Sequence, residues 1–206
     1  MRIIAGTHRG KKLIEKSDAT TRPTTDRVRE NIFNVLSNLI DLRGAKVLDL
    51  FAGCGGLGLE CYSRGAAEIV FNDADKSACE IIKKNCKATG LDVILSGAQR
   101  AQSKNLGSAV HNLDFPLALE KLKSKKFDLI FLDPPYESDF IETALQIIAK
   151  QKMLSENGII VIETDKEMTP LSGKGWQSQA DGVGVKVKTY GRARLYFLNQ
   201  DSLSSR

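Results

Sequence analysis

The sequence predicts an α/β fold built on one mostly parallel sheet, and three observations carry that prediction. From Lys46 onward, short apolar strands alternate with segments of helical periodicity. The strands are continuous apolar runs, as expected where helices cover both faces of a sheet. The last two runs, VKVKTYG and RARLYFLN, have only a short turn between them. They must therefore pair antiparallel, as a hairpin added to the sheet edge.

Residues 2–14 read as a two-stranded hairpin turning around Gly6 to Gly10. Arg22-Pro23 cannot sit inside a helix, so a helix starts after it with Thr25 or Asp26 as N-cap. Val28, Ile32, Val35, Leu36 and Leu39 give that helix one apolar face, and Arg27, Glu30, Asn31, Asn34 and Asn38 fall on the other. KVLDLF is then an apolar strand, and AGCGGLG leads into a helix ending at Arg64-Gly65. EIVFND is a strand, and DKSACEIIKKNCKATG is a helix closed by Gly90. Between 91 and 126, DVILSG and SAVHNLD compete to be the third strand; one is expected in the sheet and the other in an insertion. FDLIFLD is a buried strand, IETALQIIAKQKML a helix and GIIVIETD a strand. This order divides the chain into a basic hairpin and helix, 1–42, packed on a main domain, 43–206.

Composition narrows the class. A chain of 206 residues with 42% hydrophobic and 27% charged residues is large enough for one globular domain with a real core. No apolar run approaches the roughly 18–20 residues of a membrane span, and MRIIAGTHRGKK lacks the apolar region of a signal peptide. A cytoplasmic protein with no membrane partner follows; a monomer is expected separately. Cys54, Cys61, Cys79 and Cys86 are spaced C-x6-C twice with no histidine beside them. That is not zinc-ligand spacing, so no metal is expected and the thiols read as small buried residues. The net charge is +5, and residues 1–30 hold eight basic side chains against four acidic ones. A second acid-free basic stretch runs from Lys186 to Arg194. Clustered positive charge points to a polyanionic partner, and nucleic acid is the commonest.

VLDLFAGCGGLGLE places Gly53, Gly55 and Gly58 as G-x-G-x-x-G between a strand and a helix. Such glycines let the chain turn tightly and let a ligand approach the backbone at a helix N-terminus. Asp73 ends the next strand, 20 residues after Gly53, at the distance of an acid that binds ribose hydroxyls. The loop alone admits a dinucleotide or S-adenosylmethionine. Asp49, just before the glycines, would repel a pyrophosphate but can accept hydrogen bonds from an α-ammonium, which tilts the choice toward the methyl donor.

FDLIFLDPPYE places Asp133, Pro134, Pro135 and Tyr136 at the carboxyl end of a strand, where ligands of open α/β sheets bind. Proline has no N–H, so this segment offers almost only acceptors, the Asp133 carboxylate and the carbonyls of Asp133 and Pro134. An acceptor-only cradle selects a group with two hydrogens to donate, an exocyclic NH2. Fixing both hydrogens points the nitrogen lone pair at an incoming methyl, and the dominant effects are positioning and electrostatics. Tyr136 adds a face on which a flat base can stack.

FAGCGGLG together with DPPY resembles the Rossmann-like, class I S-adenosylmethionine-dependent amino-methyltransferases. MRIIAGTHRGKKL and RPTTDRVRENIFNVL narrow the resemblance to the RsmD family, over residues 1–90 and 127–197. The resemblance implies a seven-stranded sheet with an antiparallel last strand. It also implies methyl transfer to N2 of a guanine in 16S ribosomal RNA, with the small ribosomal subunit as partner. Cofactor contacts are then expected from Asp49, Phe51, Gly53, Gly55, Gly58 and Asp73, and catalysis from Asp133, Pro134, Pro135 and Tyr136. The family also carries an acid after the third strand, near the adenine amine. Here Gly97 is followed by Ala98 and Gln99, so Asp114, 19 residues before Asp133, takes that place and 92–107 becomes an insertion. RNA contacts are expected from Arg9, Lys11, Arg22, Arg27 and Arg29. The rival reading keeps the chemistry and changes the substrate, to adenine N6 in DNA or another RNA.

Overall fold

A computed structural model describes residues 1–16, 26–95, 108–135, 139–168, 185–190 and 193–199. The chain runs α1 (Asp26–Leu36), β1 (Lys46–Asp49), α2 (Gly56–Ser63), β2 (Glu68–Asn72), α3 (Lys76–Thr89), β3 (Ile94–Leu95) and β4 (Ala109–His111). It continues through α4 (Phe115–Lys121), β5 (Phe127–Leu132), α5 (Phe140–Lys150), β6 (Leu154–Thr164), β7 (Val185–Tyr190) and β8 (Ala193–Leu198). All eight strands form one sheet in the order β3-β4-β2-β1-β5-β6-β8-β7. Every pairing up to β6 is parallel, while β8 runs antiparallel to both β6 and β7. This is the expected seven-stranded sheet with its last strand reversed, extended by the two-residue β3 at one edge.

Both candidates for the third strand are therefore in the sheet. The 108–114 segment supplies β4 beside β2, and the 92–97 segment supplies β3 outside it. The expected insertion at 92–107 loses its first residues to the sheet; 96–107 lie outside the described residues. A further helix, α4, forms where no helix was expected, with a proline in its first turn where the missing N–H is harmless. The helix expected over 141–154 stops at Lys150. Lys152 adopts φ 51°, a left-handed turn that ends the helix and lets β6 begin four residues before GIIV.

The pleat sorts the core into two layers. Val47, Ile69, Phe71, Leu129 and Phe131 pack with α1, α2, α3 and the N-terminal hairpin. Leu48, Leu50, Val70, Ile130 and Leu132 pack with α4 and α5. Alternate residues of each strand thus reach opposite layers.

The N-terminal segment closes as a hairpin, with an Arg2–Lys12 bridge and a bond from Ile3 N–H to Lys11 O of 2.9 Å. It is fastened to the body by buried polar groups. Glu60 of α2 accepts from Ile4 N–H (2.7 Å) and Ala5 N–H (3.0 Å) and pairs with Arg64. Ser63 Oγ donates to Ala5 O and accepts from His8 N–H. No helix among the described residues is long and apolar enough to cross a membrane.

Candidate active site

Three aspartates reach one rim because of the two-residue pleat. Asp49, Asp73 and Asp133 each stand two residues after an apolar residue of the α1–α3 layer: Val47, Phe71 and Phe131. β1 lies between β2 and β5, with Asp49 in register with both Phe71 and Phe131. The three acids therefore end neighbouring parallel strands at their carboxyl ends.

Between β1 and α2 the chain turns through Gly53 (φ 54°) and Gly55 (φ 81°), the latter serving as N-cap of α2 in the left-handed region that glycine tolerates. A Cβ on Gly53 would meet nothing within 4 Å among the described residues, which leave this backbone uncovered. Gly58 has a different task. A Cβ there would fall 2.3 Å from Phe71 Cε1 and 2.9 Å from Ile69 Cγ2, so the missing side chain seats α2 directly on β2.

The acids hold the loop that they surround. Asp49 accepts from Gly58 N–H at 3.0 Å, and Asp73 accepts from Gly53 N–H and Asp75 N–H, each at 2.8 Å. Burial pushes the Asp49 carboxyl up to about 7, against the Gly58 hydrogen bond and with help from the charges of Asp133 and Asp73. Burial also raises Asp73, partly offset by its two backbone hydrogen bonds. Each carboxylate oxygen has two lone-pair directions, so both acids keep acceptor capacity beyond these bonds.

After β5, Asp133 is half-buried, Pro134 buried and Pro135 exposed, while Tyr136 lies outside the described residues. Asp114 sits at the N-cap of α4 on the same rim, exposed, and its carboxylate makes no capping hydrogen bond. Phe51 stacks on Phe140 (6.2 Å between ring centroids, 11° between planes) and tilts against Phe115 (5.5 Å). Phe115 and Phe140 start α4 and α5, so the three rings make an aromatic shelf beside Asp114.

The expected RNA contacts separate. Arg9, Lys11 and Arg27 are exposed on the hairpin and α1, and Arg22 lies outside the described residues. Arg29 needs correction as a surface contact, since it is completely buried and bonds to Arg2 O and Asp26. It sits one position from exposed Glu30, and α1 turns it inward alongside Ile32 and Phe33.

Residue reasoning missed the groups that brace the rim. Asn72 donates to Leu50 O and Leu113 O, and Asn112 donates to Asp73 O and Ala74 O. Asn85 donates to both Ile14 O and Cys54 O and accepts from Ile14 N–H, tying the glycine loop to the N-terminal segment. An asparagine at or just past a strand end was the available signal for the first two; Asn85 reads as one more polar residue of a helix.

The site fits S-adenosylmethionine on this donor and acceptor set: carboxylates at the ends of β1 and β2, an open glycine turn, and an acceptor-only segment after β5. Cavities of about 610 and 250 Å³ lie elsewhere, lined by residues such as Phe33, Leu39 and Arg64 or Ala45, Asp128 and Asn157. They flank the amino end of β1, on the rim opposite the three aspartates. Among the described residues no group of His, Cys, Asp and Glu side chains could hold a metal ion, and all four cysteines are free.

A family model described as Conserved hypothetical protein 95 matches residues 1–199. Ribosomal RNA small subunit methyltransferase D of Haemophilus influenzae is 35% identical over 85% of this chain and 84% of its own length. The structure of a hypothetical protein of Thermus thermophilus superposes with a TM-score of 0.73 at 26% identity, covering 97% of this chain and 99% of that one. The Thermus thermophilus 16S rRNA guanine-N2 methyltransferase RsmC, solved with AdoMet and guanosine, superposes with a TM-score of 0.62 at 19% identity. It covers 89% of this chain and 44% of its own, and shares the fold.

Proposed function

This chain belongs to the RsmD family of ribosomal RNA methyltransferases, and from that premise we propose that it methylates the exocyclic N2 amine of a guanine in 16S rRNA, on a small-subunit particle. The reaction uses S-adenosylmethionine, which supplies an electrophilic methyl group. Asp73 serves the ribose and Asp49 the α-ammonium, while Phe51 and Asp114 lie on the adenine side.

Asp133 and the Pro134 carbonyl accept hydrogen bonds from the two N–H groups of the amine, and the Asp133 carboxylate is placed to take the one proton that the methylated nitrogen must lose. Neither Pro134 nor Pro135 offers a backbone N–H to compete as a donor. The Asp133 carboxylate then favours the positive charge that develops on nitrogen as the new bond forms. Tyr136 stacks on the base. The observation that carries this reading is the convergence of Asp49, Asp73 and Asp133 around one glycine turn. Exposed Arg9, Lys11 and Arg27 serve the RNA backbone.

Labelled S-adenosylmethionine offered in parallel to unmodified small-subunit particles, naked 16S rRNA and DNA tests the reading. Label should enter the particle and be recovered as N2-methylguanosine after digestion. Label recovered as N6-methyladenosine, from any substrate, would overturn it in favour of adenine. Asp133→Ala should reduce turnover by about 10²–10³-fold while cofactor affinity stays within twofold or so of the wild type.

A further inference from the structure

One buried charge beside the site has no role in the reaction so far. Arg29 is fully buried. Its Nη2 donates to Arg2 O at 2.7 Å and to Asp26 Oδ1 at 2.6 Å. Nε and Nη1 have no hydrogen-bond partner among the described residues. Buried guanidinium donors are normally satisfied, so two orphans on one side chain require an explanation.

Their position supplies one. Nη1 lies 3.3 Å from the point that a Cβ on Gly56 would occupy, and Gly56 is the first residue of α2. The guanidinium charge also draws the neighbouring Cys54 thiol downward, against the larger upward effect of burial. A cation against the positive end of a helix is unfavourable by itself. α2 has no acid within its own first turn and no side-chain bond at its N-cap; the one acid on its amino end among the described residues is Asp49, which accepts from Gly58 N–H at 3.0 Å. Asp26, the partner of Arg29, is half exposed and sits on the far side of the guanidinium, at Nη2. Helix end and guanidinium therefore add their positive potentials under the glycine turn, a few residues from the carboxylate of Asp49.

We propose that Arg29 is a positioning residue that gives the glycine loop the positive potential receiving the α-carboxylate of the cofactor. The amino-acid end is then read by opposite charges, Asp49 for the ammonium and the Arg29–α2 pair for the carboxylate. The inference rests on the cofactor reading above and is independent of which base is methylated. It selects S-adenosylmethionine and S-adenosylhomocysteine over adenosyl ligands without the carboxylate.

Calorimetric titration without RNA tests it, with S-adenosylmethionine, decarboxylated S-adenosylmethionine and 5′-methylthioadenosine as ligands. The wild type should prefer the carboxylated ligand by roughly tenfold or more, the effect of one charge-assisted interaction. Arg29→Met should collapse that preference to near unity and leave 5′-methylthioadenosine affinity unchanged. Arg29→Lys, which keeps the charge, should retain part of it. An unchanged preference in Arg29→Met, or equal weakening of all three ligands, would overturn the proposal and leave Arg29 a tie between hairpin and helix. If Arg29→Met does not fold, the wild type and Arg29→Lys still decide, because a wild type indifferent to the carboxylate is fatal. Binding of none of the three would instead bring down the cofactor reading along with this proposal. Transfer to a base other than guanine would leave it standing.

Discussion

Asp49 and Gly58 show how narrowly one position can be specified. Asp49 is held in the core with its carboxyl raised to about 7, so the folded chain binds a proton that the unfolded chain releases near 3.8. Stability from this group is fully present below the unfolded value and is lost as pH rises from about 4 through about 7. Asp49→Asn should raise the melting temperature of the ligand-free protein at pH 8, by an amount equivalent to about 1 kcal/mol or more. The same variant should flatten the decline between about pH 4 and 7 and weaken cofactor binding. A melting profile that keeps its pH slope would show that another group carries it. Wild-type cofactor affinity should rise between about pH 6 and 8, as the carboxylate becomes available to the ammonium. At Gly58, alanine would drive a methyl into the rings and methyls of β2; urea unfolding should register a loss of about 1–3 kcal/mol. The sequence displayed both residues in plain view, because a strand, a glycine turn and a helix leave few places for an acid or a glycine to go. Burial of Arg29 was not legible. Its charge argued for the surface, and only the 3.6-residue turn of α1, packed under the hairpin, sends it inward.

At the scale of elements, the strands were readable because a sheet buried on both faces demands continuous apolar runs. α4 was not, since seven residues of helix carry too little periodicity to separate from their surroundings, and β3 was readable only as a rival of β4 for one place in the sheet. The fastening of the hairpin was equally hidden. Glu60 reads as an ordinary helix glutamate until its carboxylate is seen to hold two backbone N–H groups and Arg64. Glu60→Ala should leave those donors and a charge without their partner, a loss on the order of 3–5 kcal/mol. Limited proteolysis should then cut residues 1–16 well before the sheet. Equal protease resistance in variant and wild type would mean that the apolar contacts of Ile3 and Leu13 suffice.

For the whole molecule, Asp49, Asp73 and Asp133 line one rim of the sheet, and exposed Arg9, Lys11 and Arg27 stand on the hairpin and α1. The split follows from topology: parallel strands send all their carboxyl ends to one side, and the N-terminal extension packs on α2 and α3 next to that side. Replacing Arg9, Lys11 and Arg27 together should weaken RNA binding and reduce the slope of log affinity against log salt by up to about 2–3. Cofactor affinity should not change. A salt slope identical to the wild type would show that these side chains make no phosphate contacts.

Asn85 gives the order of events a direction. It joins Ile14, near the start of the chain, to Cys54 in the glycine turn, and the Ile14 bond spans a separation of 71 residues. Contacts so distant in sequence form late, after the intervening loop has closed. A nascent chain can therefore fasten its basic hairpin to α2 through Glu60 and Ser63, while Ile14 stays untied from the glycine turn until α3 has been synthesised. The tie from Asn85 to Cys54 in the glycine turn forms only once α3 has packed beside it. In a refolding experiment, cofactor binding should lag behind the recovery of helical signal, so that competence to bind reports completion of the fold.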